Sequence, residues 1–214
     1  MSFSHWQLAP ADLFKLTPVI PVMVIERLED ALPMGEALLA AGIPMLEVTL
    51  RTPVALAAIE RLRERLPQAI VGAGTVTNEK ELIAAKAAGA QFAISPGITT
   101  QLLEAGRRSD VPLIPGVATV SELMLAKEMG YTHLKFFPAE AAGGTAMLKS
   151  MAGPFAEIRF CPTGGIGPDN FRDYLALPNV MCVGGSWILP KAAVEAGDWA
   201  KVQEIAAAAV SAAK

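Results

Sequence analysis

The sequence predicts an α/β chain: a (β/α)8 barrel of the TIM type with an extra N-terminal helix. Three observations predict it. Short β-branched runs alternate with longer alanine-rich amphipathic runs, the order expected of a parallel sheet with crossover helices. The alternation repeats about eight times, the number that closes such a sheet on itself. The 214 residues suit a barrel shorter than most and hold no linker or low-complexity stretch, so residues 1–214 read as one catalytic domain.

The extra helix is read over residues 4–16, before the break at Thr17-Pro18. Strand 19–25 follows, then helix 30–41 with Gly42 as its stop. Strand 45–50 leads to Thr52, a cap residue with Pro53 at the first helical position. Strand 69–74, helix 78–88, strand 91–95 and helix 99–108 repeat the phrase. Strand 111–114 and helix 119–129 come next, then the apolar run 132–138 and a helix near 145–151. Strand 158–161, helix 168–175, strand 179–183 and a last alanine-rich helix over 198–213 complete the series. The rival is an open doubly wound sheet. No Gly-x-Gly-x-x-Gly follows an early strand, which weakens its dinucleotide-binding form.

Composition narrows the function. The chain is 52% apolar, yet no apolar run approaches the roughly 18 residues of a membrane span. Its first ten residues lack a basic stretch followed by an apolar core, so no secretory signal is expected. The net charge is −3 and the basic residues are scattered, which argues against nucleic acid. Cys161 and Cys182 sit in apolar surroundings and read as small core residues of a reducing, cytoplasmic compartment. His5 and His133 have no metal-ligand spacing, so no protein-bound transition metal is expected.

Lys135 stands alone in the apolar strand Thr132-His133-Leu134-Lys135-Phe136-Phe137-Pro138. Strand alternation puts His133, Lys135 and Phe137 on one face. A free lysine is neutral only about one time in a few thousand at pH 7. Burial and a nearby cation both favour the neutral amine, which can attack a carbonyl to form a Schiff base. The plain alternative is a lysine snorkelling to solvent or paired with a carboxylate. His133 lies deeper toward the strand start and reads as packing; Phe136 and Phe137 read as wall and core.

Period-2 alternation also puts Glu47, Thr49 and Arg51 on one face of their strand. An inward glutamate needs a cation or a proton to move. It either fills the barrel as an ion pair with Lys135 or Arg51, or serves as an acid beside the imine lysine. Arg51 offers a fork suited to a carboxylate, or is an ordinary exposed arginine. Thr75, after the glycines of Val71-Gly72-Ala73-Gly74, can meet a ligand or cap the next helix. Thr163-Gly164-Gly165-Ile166-Gly167-Pro168 and Val183-Gly184-Gly185-Ser186-Trp187 follow successive strands, the second opening a short extra helix. Barrels bind phosphate between those two loops, so together they point to a phosphorylated small molecule, with Ser186 adding a hydroxyl. The residues alone leave three readings: an aldolase, a sugar-phosphate epimerase or isomerase, and a non-catalytic binder.

With those residues in view, the chain resembles the 2-keto-3-deoxy-6-phosphogluconate (KDPG) and 4-hydroxy-2-oxoglutarate (KHG) aldolases over almost its whole length. The likeness rests on Leu46-Glu47-Val48-Thr49-Leu50-Arg51-Thr52, Val71-Gly72-Ala73-Gly74-Thr75-Val76, Phe92-Ala93-Ile94-Ser95-Pro96-Gly97, Lys135-Phe136-Phe137-Pro138-Ala139-Glu140, Phe160-Cys161-Pro162-Thr163-Gly164-Gly165-Ile166 and Gly184-Gly185-Ser186-Trp187. It implies a class I aldolase, typically a homotrimer, releasing pyruvate from a keto acid phosphate without metal or cofactor. Lys135 would be the Schiff-base lysine and Glu47 the general acid/base. Arg51, Thr75 and the Pro96 backbone would meet the pyruvate carboxylate, with Phe137 in the wall. Thr163 would line the C4 end, and Gly164, Gly165, Gly184, Gly185 and Ser186 would form the phosphate site. The departures are Gly167 and Ala142, where relatives carry serine and asparagine. Thr163, with a first strand lacking arginine, points to the gluconate over the galactonate epimer.

Overall fold

Every strand pairing among the described residues is parallel. The computed structural model describes residues 3–213. Five strands, β1 (Val19–Met23), β2 (Met45–Thr49), β3 (Ile70–Gly74), β4 (Ala93–Ile94) and β5 (Leu113–Ile114), join in sequence order. β9 (Val183–Gly185) pairs with β1 at the other edge, giving the order β5-β4-β3-β2-β1-β9. A second group orders β6 (Gly116–Val117), β7 (His133–Phe136) and β8 (Arg159–Pro162). Parallel bridges Phe160↔Val180 and Thr163↔Gly184 link β8 to the β9 segment. The result is an α/β fold on a curled parallel sheet.

The short α1 (Pro10–Leu13) packs Leu13 in one cluster with Phe14 and Cys182, while the later helices cover the outer face: α2 (Ala31–Ala40), α3 (Ala55–Arg65), α4 (Glu79–Ala87), α5 (Thr100–Arg108) and α6 (Val120–Glu128) precede β7. Then come α7 (Gly144–Ala152), α8 (Phe171–Leu175), α9 (Lys191–Ala196) and α10 (Trp199–Ala212). Side-chain caps start α4, α5 and α6: Asn78 accepts from the Glu81 N–H, Thr99 from that of Leu102, and Thr119 forms a capping box with Glu122. Gly89 closes α4 at φ +86°, a conformation an L side chain resists. One large cluster, including Val48, Val71, Leu134, Phe136 and Phe160, packs sheet against helices. A smaller one (Phe14, Ile20, Met45, Phe92, Ile94, Ile114, Cys161 and Cys182 among its members) fills the inner side of the sheet. Burying both faces explains why β1 and β2 are buried along their whole length. Among the described residues no helix is long and apolar enough to cross a membrane.

Several expected boundaries move. Of the helix expected over residues 4–16, a single turn forms, Pro10–Leu13. Phe3 and Trp6 ahead of it stack on each other at 3.9 Å instead of continuing a helix. Thr52 does not cap α3, because its hydroxyl donates to the Ile25 carbonyl at 2.6 Å, and the helix starts at Ala55. The fifth strand runs past Pro115, which has no N–H to give the ladder. Its first half pairs with β4 and its second with β7, where the Pro115 carbonyl accepts from the Lys135 N–H at 2.9 Å. The last strand starts four residues late, at Val183, so Gly184 and Gly185 belong to it and pair with Ile20 and Pro21. No extra helix follows Gly185: the chain makes a turn, and α9 begins only at Lys191.

Candidate active site

Lys135 and Glu47 come from strands far apart in the sheet order and meet in the interior. Lys135 sits in β7 beside Gly116 and Cys161; Glu47 sits in β2 beside Val22 and Gly72. The curl of the sheet brings Lys135 Nζ within 3.4 Å of Glu47 Oε1, with side-chain exposures of 8% and 2%. Glycine neighbours make the room. A Cβ on Gly74 would lie 2.3 Å from Glu47 Oε1. Lys135 Nζ also lies 5.4 Å from the centre of the half-buried Phe137 ring, whose π face favours a cation.

A buried ion pair is costly to desolvate. Moving one proton from lysine to glutamate removes both charges at once, so the pair has a short, internal route to a neutral amine. The hydroxyl of Thr49 is committed elsewhere, donating to the Met23 carbonyl at 2.8 Å. Arg51 lies in the turn beyond β2, past the end of the strand alternation. It is exposed, and its guanidinium makes no ion pair among the described residues. Thr75, just past β3, is the one described residue other than glycine with positive φ, +59°. It caps nothing: Asn78 starts α4.

The Pro96 backbone abuts Gly116, where a Cβ would meet its carbonyl oxygen at 2.5 Å. Ser95, fully buried, ties the same place by accepting from the Gly116 N–H at 3.2 Å. Gly116 is the register partner of Lys135, so Pro96 borders the lysine strand. Thr163 is buried and bridges to Gly184, whose missing side chain leaves room for it: a Cβ there would sit 2.2 Å from Thr163 Oγ1. Gly185 likewise makes room for the Trp187 ring. Gly164 and Gly165 adopt φ of +102° and +75°, and their N–H groups donate to no acceptor among the described residues. Ser186 is exposed at the end of β9.

His133 is half-buried at the other end of β7, edge-on to Phe14 with ring centres 5.6 Å apart. Burial, then the positive charges of Arg159 and Lys15, push its pKa down to about 4. Cys161 and Cys182 are free and buried; burial, then its neighbour Cys161, pushes the Cys182 thiol up. Among the described residues no three His, Cys, Asp or Glu side chains gather as a metal site would need. Sequence reasoning missed one contact beside the glycine loop, between the Glu140 carboxylate and the Tyr174 hydroxyl, 34 residues apart. No local pattern signals it.

A curled parallel sheet enclosing a lysine–carboxylate pair defines an α/β chain with an amine poised inside its sheet. The model of the KDPG and KHG aldolase family matches residues 11–205, and the chain belongs to that family. It is 54% identical over 207 residues to the 2-dehydro-3-deoxy-phosphogluconate aldolase of Pseudoalteromonas atlantica, covering 97% of this chain and 96% of the relative. It is 52% identical over 210 residues to the KHG/KDPG aldolase of Escherichia coli K12, covering 98% and 99%. Among solved structures, KDPG aldolase from Legionella pneumophila, with pyruvate captured at low pH as a covalent carbinolamine intermediate, superposes with a TM-score of 0.94. That protein is 56% identical, and the match covers 95% of this chain and 98% of its own.

Proposed function

We propose that this protein is a class I aldolase that reversibly cleaves KDPG to pyruvate and glyceraldehyde 3-phosphate, and KHG to pyruvate and glyoxylate. The observation that carries the reading is the buried Lys135–Glu47 pair at 3.4 Å. The carbinolamine trapped in the Legionella relative supports the same chemistry.

Lys135 gives a proton to Glu47, and the neutral amine forms a C–N bond to the C2 ketone of the substrate. Glu47 returns that proton to the former carbonyl oxygen, then takes a second proton from the adduct nitrogen and passes it to the same oxygen, which leaves as water; an iminium and an ionised Glu47 remain. Glu47 then takes the proton of the C4 hydroxyl. The C3–C4 bond breaks, its electron pair moves into the iminium, and an aldehyde and an enamine result. Protonation at C3 and hydrolysis of the imine release pyruvate and restore the amine. Arg51 holds the substrate carboxylate with Thr75 and the Pro96 backbone, Phe137 forms the wall beside Lys135, and Thr163 lines C4. The N–H groups of Gly164 and Gly165, with Gly184, Gly185 and Ser186, receive the phosphate. Holding both ends fixes the bond to be broken in line with the iminium, which supplies several kcal/mol of the barrier.

The same reading takes the sheet as a closed (β/α)8 barrel in one domain, β5 and β6 being one strand interrupted at Pro115. The bridges between β8 and the β9 segment support it. It places the enzyme in the Entner–Doudoroff pathway, in the cytoplasm and as a homotrimer, with no cofactor. The test is coupled detection of pyruvate from KDPG in the presence of a chelator, beside the KHG reaction. Solvent exchange at the substrate without pyruvate would favour the epimerase reading; ligand binding with no turnover would favour the binder.

A further inference from the structure

The segment that carries Lys135 also shapes the glycine loop. Ala139 and Glu140 donate their N–H groups to the carbonyls of Thr163 and Gly164, at 2.8 and 3.1 Å. A Cβ on Gly164 would meet Pro138 Cα at 3.2 Å and the Phe137 ring at 3.3 Å. A Cβ on Gly165 would run into the stem of Glu140, 2.6 Å from Cγ and 2.7 Å from Cβ. The turn at Gly164 and Gly165 therefore rests on residues 137–140. Glu140 is otherwise solvent-facing, but its carboxylate accepts from the hydroxyl of the fully buried Tyr174 in α8, the helix the loop leads into. On the other side Asn170 donates to the Gly165 carbonyl at 3.1 Å and accepts from the Gly167 N–H at 2.8 Å.

We propose that Glu140, held by Tyr174, is a positioning residue for the phosphate end of the substrate. Its stem fixes the positive-φ turn at Gly164 and Gly165, so their free N–H groups keep the spacing an anion needs. It touches no reacting atom. This rests on the aldolase reading above and deepens it: the clamp sets the preference for a phosphorylated over an unphosphorylated 2-oxo acid. The imine end stays as it is.

The experiment measures kcat and KM on KDPG and on unphosphorylated KHG for E140A, E140Q, Y174F and the E140A/Y174F pair. In E140A and Y174F the ratio of kcat/KM for KDPG to that for KHG falls about tenfold, through KM for KDPG. The double variant falls no further, since both changes open one contact. E140Q keeps the stem and an acceptor for Tyr174 and holds the ratio within about twofold. Borohydride trapping with pyruvate, which uses no phosphate site, reports the imine end. Equal losses on both substrates, or an unchanged ratio, would overturn the proposal. S186A separates it from its foundation: if S186A lowers the ratio and E140A does not, the clamp falls and the phosphate site stands. If neither variant moves the ratio, both fall.

Discussion

The Glu47 carboxylate occupies the space a side chain at Gly74 would need; a Cβ there would lie 2.3 Å from Oε1 and 2.7 Å from Cγ. The glycine on β3 thus sets where the acid on β2 points, and so how it faces Lys135. G74A is expected to turn Glu47 away from the lysine while the strand, buried from Val71 to Gly74 and parallel-paired, keeps its backbone. Activity falls by about a hundredfold or more, and the melting temperature falls too, since the added methyl over-packs a buried site and separates a buried ion pair. An active G74A enzyme would mean that the position of Glu47 does not matter.

Glu47→Gln keeps the size and removes the proton carrier. Steady-state kcat is expected to fall by roughly 10²–10⁴ on either substrate, the range for loss of a general acid–base. A kcat near that of the unaltered enzyme would assign the proton transfers to another group.

Thr75 holds φ at +59°, which is costly for a β-branched residue and is kept where surroundings or function demand it. Thr75→Gly removes the strain along with the side chain. The variant is expected to be no less stable, gaining up to about 1 kcal/mol by denaturant titration, while KM for the 2-oxo acid rises. A clear loss of stability would show that the Thr75 side chain serves packing and not the ligand.

The His133 pKa is pushed down to about 4 in the folded chain, below its ordinary 6.5, because burial and the charges of Arg159 and Lys15 disfavour the imidazolium; Asp12 pulls the other way. Between those values the unfolded chain binds a proton that the folded chain does not. The contribution is full above pH 6.5 and is lost as pH falls toward 4. Half-burial limits it to the order of 1–2 kcal/mol. In H133F, which keeps the edge contact with Phe14, the urea midpoint should depend less on pH across that window. Parallel curves for the two proteins would contradict it.

Much of this was legible in the residues. The parallel phrase, with stops such as Gly89 and caps such as Asn78 and Thr119, follows from local chemistry and gave the right class of fold. The Lys135–Glu47 meeting was also readable, because a strand buried on both faces leaves a charged side chain nowhere to go but toward another. What escaped depends on contacts across the sheet. Gly184 and Gly185 read as loop because glycine disfavours strands; they pair with β1 since Thr163 and Trp187 fill the places their side chains would take. The strand read over 111–114 does not end there; across Pro115 the chain only changes partner. Thr52 has the residue type of a cap but spends its hydroxyl on Ile25. The Glu140–Tyr174 contact joins residues 34 apart with no periodic signal between them.

The most direct test is reduction of the protein with borohydride in the presence of pyruvate, followed by peptide mass analysis. A pyruvate-derived adduct on Lys135, absent in Lys135→Met along with all turnover, is the predicted result. An adduct on a different lysine, or trapping and turnover that survive in Lys135→Met, would contradict the account.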